Sequence, residues 1–486
     1  MENGVMMQYF EWNLPNDGYL WKALAKDAPH LAEIGVTAVW IPPPCKADRQ
    51  ENQGYAAYDL FDLGEFNQKG TVRTKYGTRR ELEAAIAALH RQNISVYLDA
   101  VMNHKAGADF TEKFQAQEVD PNQRENAVAE PREIEGWTGF DFPGRAGKYS
   151  DFKWGWQHFT GVDYDKKTDK TGIFRILGDG KSWADGVDGE FGNYDYLMFA
   201  DIDFDHPDVK TEMIKWGKWV SRELNLDGMR LDAIKHINDA FIRDFVKQVR
   251  ADRGGKFYAV GEYWKDDVQS LDDYLKEVEG AVDLFDVSLH FNFFQASEQG
   301  RDYDMTGILN DSLALRDSVH AVTFVDNHDS QWGSSLQSTI KDWFKPLAYG
   351  LILLMREGYP CVFYGDYYRI GDKESPHRTI IDACLAARKR YAYGEQTPYF
   401  DHGNTVGLVR AGDPERPGSG LAFLMATGDD GVKVMNVGAN RAGETWRELT
   451  GNIADTVTIG DDGNAEFHVS GGNIAIWVQE EAPDGA

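Results

Sequence analysis

The chain has 486 residues and a formal net charge of −28, because 79 acidic side chains outnumber 51 basic ones. This length allows more than one hydrophobic core, and the negative charge argues against nucleic acid or an anionic membrane as a partner. The three cysteines stand in no metal-binding spacing and predict neither a disulfide framework nor a zinc site, and no apolar run approaches 18 residues, as a membrane span requires.

The first hundred residues alternate between strand-like and helix-like patterns. Apolar runs end at polar or proline-rich turns, and the segments between them show the apolar spacing of helices. Thr78 and Glu81 form a capping-box sequence at the start of the second helix. Such alternation predicts a parallel sheet. The predicted elements are a strand at 5–10, a helix with apolar positions from Leu20 to Ile34, a strand at 36–41, a helix at 79–92 and a strand at 95–100.

The pattern breaks between residues 105 and 206. This segment is rich in Gly, Asp, Trp and Phe and has no helical periodicity. A single irregular loop of this length would be unusual within a compact domain. We therefore interpret 105–206 as a β-rich domain inserted after the third strand.

Beyond the insertion, helices and strands alternate again. Pro207 stands at the first position of a helix, where its missing N–H costs nothing. Eight strands, each followed by a helix, predict an α/β fold, a (β/α)8 TIM barrel. The predicted elements are helices at 208–224, 239–252, 267–278, 303–317, 346–357 and 376–390, and strands at 228–232, 257–261, 282–287, 321–325 and 361–364.

After about residue 394 the helical pattern stops. Short alternating runs such as GLVRA, LAFLMA and NIAIWVQ, separated by Gly, Asp and Pro turns, indicate a C-terminal β-sandwich. The last residues, EEAPDGA, are expected to fray. The predicted domains are a barrel in two parts, 1–104 and 207–394, the inserted domain 105–206 and the sandwich 395–486.

One predicted strand carries a charged pair on a single face. The stretch GMRLDAIKH alternates apolar and charged residues, and Arg230 and Asp232 are two residues apart, so both point the same way. The guanidinium would hold Asp232 ionised, and an ionised, oriented carboxylate is a nucleophile. Taken alone, such a pair is more often structural than catalytic.

Polar residues end four of the predicted strands. Each of these apolar runs delivers carboxylates or histidines at its C-terminal end, which is where the active face of a TIM barrel lies. This recurrence predicts a catalytic cleft. The residues that it would gather are Asp99, Asn103, His104, Asp232, Glu262, His328 and Asp329.

These strand ends carry a resemblance to a known family. Four short motifs carry it, one at the end of each of strands three, four, five and seven. Each motif is weak alone, but all four in this order are highly specific. FPGRAGKYSDFKW (142–154) and NYDYLMFAD (193–201) narrow the resemblance to the liquefying bacterial members. The chain resembles the α-amylase family of glycoside hydrolases through DAVMNH (99–104), GMRLDAIKH (228–236), GEYW (261–264) and FVDNHD (324–329).

The resemblance implies endo-acting, retaining hydrolysis of internal α-1,4-glucosidic bonds in starch, glycogen and maltooligosaccharides by double displacement. By that match, Asp232 is the nucleophile, Glu262 the general acid/base and Asp329 a third carboxylate that stabilises the oxocarbenium-like state. Arg230 favours ionisation of Asp232. Glu262 has no such partner in the sequence, and desolvation is expected to keep it protonated.

The resemblance also implies contacts with the glucan. His104 and His328 match histidines that bond the hydroxyls of the sugar at the cleavage point, and Tyr55 matches a ring that stacks under it. Packing within the fold would explain Trp12 and Trp264 about as well as substrate binding. The implied substrate-binding residues are Arg230, His104, His328, Tyr55, Trp12 and, on the leaving-group side, Lys235, His236 and Trp264.

Calcium is the implied cofactor. Asn103, Asp195 and Asp201 match the family's ligands, together with the main-chain oxygen of His236. Amide, carboxylate and carbonyl oxygens suit a hard cation. Because the ligands come from both barrel and insertion, the ion would pin the inserted domain against the catalytic strands. The alternative is that Asp195 and Asp201 are ordinary members of an acidic loop.

One departure from the family pattern concerns further ions. The heat-stable members bind an extra calcium and a sodium through additional aspartates. Thr160 stands where they have aspartate before a glycine, and Ala184 stands where another is expected, with Asp185 one position late. Asp203 and Asp205 are retained. The single shared calcium is predicted, and the multi-ion cluster is left open.

Trp332 is a second departure, because close relatives often have proline at this position. The ring either adds a stacking surface at the cleft or shields the loop that follows Asp329.

Three alternative functions are considered. A transglycosylase or a maltooligosaccharide-forming enzyme would share every catalytic residue. A non-catalytic glucan-binding relative would characteristically lose one of the three acids, and all three are present. A metal-dependent phosphate or sugar-isomerase barrel is disfavoured, because no phosphate-binding glycine loop follows strands seven and eight.

No signal peptide precedes MENGVMMQYF. The expected location is outside the cell, as a mature form, with the cytoplasm as the alternative. The expected partners are α-glucan polysaccharides and maltooligosaccharides, without nucleic acid or membrane, and a monomer is expected.

Overall fold

A closed barrel of eight parallel strands forms the centre of the computed structural model, which describes residues 3–480. Each strand pairs with its neighbours in chain order, and the last pairs with the first. All eight strands overlap the predicted ones. They are Met6–Gln8, Ala38–Ile41, Ser95–Ala100, Gly228–Leu231, Tyr258–Gly261, Asp283–Phe285, Ala321–Phe324 and Tyr359–Phe363.

Helices connect the barrel strands. The capping box at the second helix is confirmed, because the Glu81 carboxylate accepts from the Thr78 amide at 2.8 Å and the Thr78 hydroxyl accepts from the Glu81 amide. Pro207 is the first residue of its helix, as predicted. The helices are Leu20–Glu33, Arg79–Arg91, Pro207–Glu223, Asp239–Asp252, Val268–Glu277, Val287–Gln299, Leu313–Arg316, Lys345–Leu354, Tyr364–Tyr367 and Arg378–Arg390.

The prediction for the connection after the sixth strand was wrong. The main helix there is Val287–Gln299, whereas 303–317 holds only 3-10 turns and the four-residue helix Leu313–Arg316. The longer helix begins two residues after the strand ends, so the apolar run continues without a turn signal between them. Asp286 makes the break, because its carboxylate accepts from the Leu289 amide at 3.0 Å and caps the helix.

The insertion after the third strand is β-rich, as predicted. His104–Lys105, which follows that strand, pairs with Ala200–Ile202, and Asp201 lies opposite His104. This pairing ties the end of the inserted sheet directly to the catalytic end of the barrel. The strands of this sheet are His104–Lys105, Phe110–Asp120, Gln123–Ala127, Arg132–Gly139, Phe159–Asp165, Lys170–Ile176 and Ala200–Ile202.

The C-terminal part forms the predicted β-sandwich from a six-stranded and a two-stranded sheet. The tail predicted to fray, EEAPDGA, lies outside the described residues from 481 onwards. Within 3–480, every helix is too short or too polar to cross a bilayer. The strands of the sandwich are Gln396–Tyr399, Thr405–Arg410, Leu421–Ala426, Gly431–Asn436, Thr445–Glu448, Thr456–Thr458, Asn464–Val469 and Ile474–Gln479.

Candidate active site

The parallel register brings the predicted carboxylates to one end of the barrel. Arg230 on the fourth strand lies opposite Asp99 on the third, and Leu231 lies opposite Gly261 on the fifth. Asp232 and Glu262 therefore follow on adjacent strands at the same level. Both side chains are buried, as is Arg230. These acids occupy the place where a TIM barrel carries its catalytic residues.

Arg230 is the centre of this cluster. Its Nη1 lies 2.8 Å from Asp99 Oδ1 and 2.5 Å from Asp232 Oδ1, and its Nη2 lies 2.8 Å from Glu262 Oε2. The expectation that Glu262 lacks a cationic partner was therefore wrong. The two nitrogen arms of one guanidinium reach carboxylates on neighbouring strands, a contact that sequence spacing does not reveal.

Ala233 turns the chain immediately after Asp232. Its φ of 51° places it in the left-handed region, which is uncommon for a residue with a side chain. The turn directs the Ala233 N–H to the Glu262 carboxylate, with Oε2 at 3.2 Å. Backbone strain of this kind clusters at functional sites.

Burial and mutual repulsion set the protonation of these acids. Desolvation raises the pKa of Asp232, and the neighbouring Arg230 opposes the rise. Desolvation also raises the pKa of Glu262, with Arg230 lowering it and Asp232 raising it further. The pKa of Asp329 is held well above its usual value by burial and by Glu262. Burial raises the pKa of Asp99 to about 7.

Asp329 and His328 lie on a loop with fixed geometry. The Asn327 side-chain oxygen accepts from the Asp329 amide at 2.8 Å, which shapes the turn after the seventh strand. The Gln8 side-chain amide bonds His328 Nδ1 at 3.0 Å, a contact across the barrel between its first and seventh strands. Both arrangements orient side chains towards the cluster around Arg230.

Three aromatic rings form one wall of the cleft. Tyr55 and His328 stack with centroids 5.0 Å apart and planes 11° apart, and Trp12 stacks on both, 5.8 Å from Tyr55 and 6.1 Å from His328. The Tyr55 hydroxyl donates to Asp99 Oδ2 at 2.8 Å. The structure thus brings Trp12 together with the two residues predicted to contact the sugar.

Several buried polar atoms at this cleft have no hydrogen-bond partner within the described residues. His104 Nδ1 and Glu262 Oε1 are among them, and His328 Nε2 has only Asp329 Oδ2 nearby, at 3.3 Å. Burial lowers the pKa of His104 to about 4 and that of His328 well below its usual value, so both imidazoles are neutral near pH 7. Unsatisfied buried polar atoms are costly, and a polyhydroxylated ligand would satisfy them.

The predicted leaving-group residues Lys235 and His236 are bonded to the insertion. Lys235 Nζ donates to Glu190 Oε2 and to the Trp264 main-chain oxygen, both at 3.0 Å. His236 Nδ1 bonds the Tyr194 main-chain oxygen at 2.7 Å. The Trp264 ring is half-buried and packs on other aromatic rings of the barrel, including Phe324 at 6.2 Å. Packing accounts for Trp264 at least as well as a substrate contact.

Three of the predicted calcium ligands, Asn103, Asp195 and Asp201, lie together where the insertion joins the barrel. Asn103 Nδ2 donates to Asp201 Oδ1 at 2.9 Å, and the Thr160 hydroxyl donates to Asp201 Oδ2 at 2.8 Å. Burial raises the pKa of Asp195 to about 7, and burial together with Asp195 holds the pKa of Asp201 well above its usual value. Two adjacent buried carboxylates with an amide oxygen form an all-oxygen set that fits a hard cation.

Additional cations do not fit the residues around Asp203. The Lys181 ammonium lies 2.5 Å from Asp203 Oδ2, and it also bonds the main-chain oxygens of Gln157 and, at 3.2 Å, of Phe159. Its side chain is only 5% exposed. An ammonium held by three oxygens already supplies the positive charge that the Asp203 carboxylate would otherwise take from a metal ion. A multi-ion cluster of the kind left open by the sequence is disfavoured at this point.

Another set of potential metal ligands comprises His158, His206 and Asp208, whose ligand atoms lie within 4.8 Å of one another. Imidazole nitrogens do not suit calcium, which prefers oxygen. The Nδ1 atoms of both histidines already accept backbone N–H groups, from Gly155 at 3.0 Å and Asp208 at 3.3 Å. The lone pair of each Nδ1 is therefore already engaged by a backbone N–H and is not free to bind a metal.

Sequence reasoning missed the supporting residues. Gln8, Trp40 and Lys181 were not singled out, and Asp99 was noted as a strand end without a role. Trp40 Nε1 donates to Asp99 Oδ2 at 3.0 Å, and its ring lies 5.1 Å from the Arg230 guanidinium carbon. The sequence feature that could have identified Asp99 and Trp40 as site residues is their position near the ends of predicted strands. For Gln8 the only such feature is that a polar residue stands in an apolar strand.

Comparisons with known proteins agree with this geometry. Residues 20–393 match the model of a family described as "Alpha amylase, catalytic domain". The chain is 52% identical over 480 residues to glucan 1,4-alpha-maltohexaosidase of Bacillus sp. (strain 707), covering 98% of this chain and 93% of that one. It is 52% identical to the alpha-amylase of Bacillus licheniformis over 98% of this chain and 94% of that one.

Two further matches extend this picture. The cytoplasmic alpha-amylase of Escherichia coli is 43% identical over 99% of this chain and all of its own length. Among solved structures, an Anoxybacillus alpha-amylase superimposes with a TM-score of 0.65 at 18% identity, covering 99% of this chain and 98% of that one. The structural match supports the fold, and the sequence matches extend over nearly the whole chain.

Proposed function

The chain belongs to the α-amylase family, and from this premise we propose that it is an endo-acting, retaining α-amylase that hydrolyses internal α-1,4-glucosidic bonds of starch, glycogen and maltooligosaccharides. The observation that carries the proposal is the cluster of Asp232, Glu262 and Asp329 at the C-terminal end of the barrel strands, with Asp232 and Glu262 bound to Arg230. A double displacement needs two carboxyl groups with different protonation, and both are buried next to one cation.

In the first step, the Asp232 carboxylate attacks the anomeric carbon while the Glu262 carboxylic acid gives its proton to the departing glycosidic oxygen. The C–O bond to the leaving sugar breaks, and a glycosyl ester to Asp232 forms. In the second step, the Glu262 carboxylate takes a proton from water, whose oxygen attacks the same carbon and releases Asp232. Two inversions leave the configuration retained.

The remaining side chains position the sugar. His104 Nδ1, which has no hydrogen-bond partner within the described residues, and His328 Nε2, which lies 3.3 Å from Asp329 Oδ2, are suited to bonding hydroxyls of the sugar at the cleavage point. Tyr55 offers its ring to that sugar while its hydroxyl is held by Asp99. Asp329 would accept sugar hydroxyls and stabilise positive charge at the anomeric carbon. Lys235 and His236 would contact the leaving group.

Calcium would be held by Asn103, Asp195, Asp201 and the main-chain oxygen of His236. The ion would neutralise two buried carboxylates and join the insertion to the third barrel strand. Its contribution is structural, because Asp201 lies on the strand paired with His104 rather than in the acid cluster.

Proton NMR of fresh hydrolysis products tests the mechanism. The α-anomer should appear first and convert slowly to the equilibrium mixture. Early appearance of the β-anomer would contradict the role of Asp232 as nucleophile. Chromatography of soluble starch digests over time should show a rapid fall in chain length, with maltooligosaccharides of many sizes early in the reaction.

A second candidate is an enzyme that forms one maltooligosaccharide preferentially. The observation that favours it is the 52% identity to a relative named for maltohexaose release. The same chromatography separates the two candidates, because a single dominant early product would identify the second. Formation of products longer than a supplied maltoheptaose would instead indicate transglycosylation.

For the remaining properties, we propose α-glucans as partners, a monomeric state, and domain boundaries at 104/105, 206/207 and 394/395. We propose export from the cell, with the cytoplasm as the alternative, since the Escherichia coli relative is named cytoplasmic. Cell fractionation with an activity assay and size-exclusion chromatography with light scattering test the location and the monomer, respectively.

A further inference from the structure

Trp332 is an exposed aromatic side chain next to the catalytic loop. It follows Asp329 by three residues, and 74% of its surface is exposed. A tryptophan that shielded the loop would bury most of its ring, so this exposure argues against a packing role. An exposed tryptophan on the loop that follows Asp329 is available to stack against a bound sugar.

The loop that carries Trp332 is anchored to the aromatic wall formed by Trp12, Tyr55 and His328. Gln331 Oε1 accepts from the Trp12 amide at 3.0 Å, and Gln331 Nε2 donates to Glu11 Oε2 at 3.1 Å. On its other side, the Ser334 hydroxyl donates to the His328 main-chain oxygen at 2.7 Å. Because the preceding residue, Gln331, is buried and hydrogen-bonded, the backbone that carries the exposed Trp332 ring is held in place.

These contacts place Trp332 on one side of the cleavage point. The loop that carries its ring is bonded to Trp12 and His328 through Gln331 and Ser334, whereas Lys235, assigned to the leaving group, is bonded to Glu190 and Trp264. A glucan chain that continues past the reacting sugar, away from the leaving group, would pass the anchored loop. Glucose units present apolar C–H faces that suit an aromatic ring.

We propose that Trp332 is a stacking platform for a glucose unit on the non-reducing side of the cleavage point, an inference that rests on the proposed function. The platform adds affinity for glucans that extend beyond the reacting sugar. It contacts a unit that does not change during the reaction, so it stabilises ground and transition states equally. Such uniform binding lowers KM and leaves kcat unchanged.

The test compares two activated donors that differ only in length on the non-reducing side. α-Glucosyl fluoride fills the reacting-sugar position alone, whereas α-maltotriosyl fluoride extends two units further. Trp332→Ala should raise KM for the longer donor about three- to tenfold, as expected for a lost stacking contact, with kcat within twofold. KM and kcat for α-glucosyl fluoride should not change.

Trp332→Phe should recover most of the affinity for α-maltotriosyl fluoride, because it retains a ring. Val319→Ala is the matched control: Val319 is 77% exposed and precedes the seventh strand, so it lies at the opposite end of the barrel. It should behave as the unmodified enzyme. Melting temperatures of all three variants should agree within about 2 °C, since none removes a buried side chain.

An unchanged KM for α-maltotriosyl fluoride in Trp332→Ala would overturn the inference. So would an equal loss on both fluorides, which would indicate a disturbed catalytic loop rather than a lost platform. Failure of the unmodified enzyme to hydrolyse either fluoride would overturn the proposed function itself, and the inference with it.

Discussion

At the scale of single residues, the chemistry depends on how many charges surround Arg230. Asp99, Asp232 and Glu262 contact its guanidinium, and Asp329 lies close enough for Glu262 to raise its pKa. One cation cannot neutralise four carboxylates, of which three are buried and the fourth, Asp329, is only 18% exposed, so the cluster retains protons that exposed acids would have lost. This retention provides the proton that Glu262 needs as the general acid.

Removing either reacting group tests these roles. We expect Asp232→Asn and Glu262→Gln each to lower kcat on maltoheptaose by more than about a thousandfold, because each abolishes a step of the double displacement. Binding of maltoheptaose, measured by calorimetry, should persist. Asp429→Asn is the control, since its carboxylate is exposed on the sandwich. Activity within tenfold of the unmodified enzyme in either variant would reject the assignment.

A pH profile tests the electrostatics around Glu262. The cation of Lys235 lowers the pKa of this carboxyl, so Lys235→Met should raise it. Because the general acid must be protonated, a higher pKa moves the basic limb of the kcat/KM profile to higher pH. Lys265→Met is the matched control, since Lys265 pairs with Asp188 instead. A limb that moved to lower pH, or did not move, would contradict this view of Glu262.

At the scale of elements, the sequence predicts the barrel strands well because each is a buried apolar run ended by a polar or proline signal. The helix Val287–Gln299 was missed because its apolar residues continue those of the preceding strand. In the site, Asp232 was predictable from one strand. Gln8 was not, because its partner His328 lies 320 residues away, and pairing over such a distance depends on barrel closure.

Calcium should act through the junction of insertion and barrel. We expect EDTA to lower the melting temperature and calcium to restore both stability and activity, since an ion bound only by the folded form stabilises it by about 2.7 kcal/mol at a hundred times its Kd. Asp201→Ala should have the melting temperature of the chelated protein, and added calcium should not raise it. A melting curve unaffected by EDTA, in protein shown by elemental analysis to be metal-free, would contradict the site.

A separate prediction concerns the buried ammonium of Lys181 in the insertion. Lys181→Ala would leave the Asp203 carboxylate, which is 9% exposed, without its cation. Breaking a buried pair costs about 3–5 kcal/mol, so the melting temperature should fall while one calcium per chain is still bound. Lys170→Ala, which breaks an exposed pair with Glu118 on the same insertion, is the control and should change little. Equal melting of the two variants would argue against the ammonium as a structural cation.

At the scale of the whole molecule, the barrel and the sandwich share one hydrophobic core. Leu421, Phe423 and Ile474 of the sandwich belong to the same buried cluster as the barrel strands. Helix Lys345–Leu354 lies between the two parts and is buried on nearly every side. The Arg410 guanidinium on the sandwich donates to the main-chain oxygen of Leu354, at 3.1 Å from Nη1. The sandwich therefore covers an apolar helix that the barrel alone leaves exposed.

Truncation after residue 394 tests this dependence. The shortened chain keeps every catalytic and calcium residue, yet the outer face of helix Lys345–Leu354 would meet water. An exposed apolar face of that size favours aggregation. We expect residues 1–394 to be insoluble, or to melt at least about 10 °C below the full chain if solubilised, because losing several buried contacts removes more stability than losing one large core side chain. Phe423→Ala in the full chain should show part of this loss, about 3–5 kcal/mol, in a soluble protein. A soluble 1–394 chain with unchanged melting and activity would show that the barrel folds independently of the sandwich.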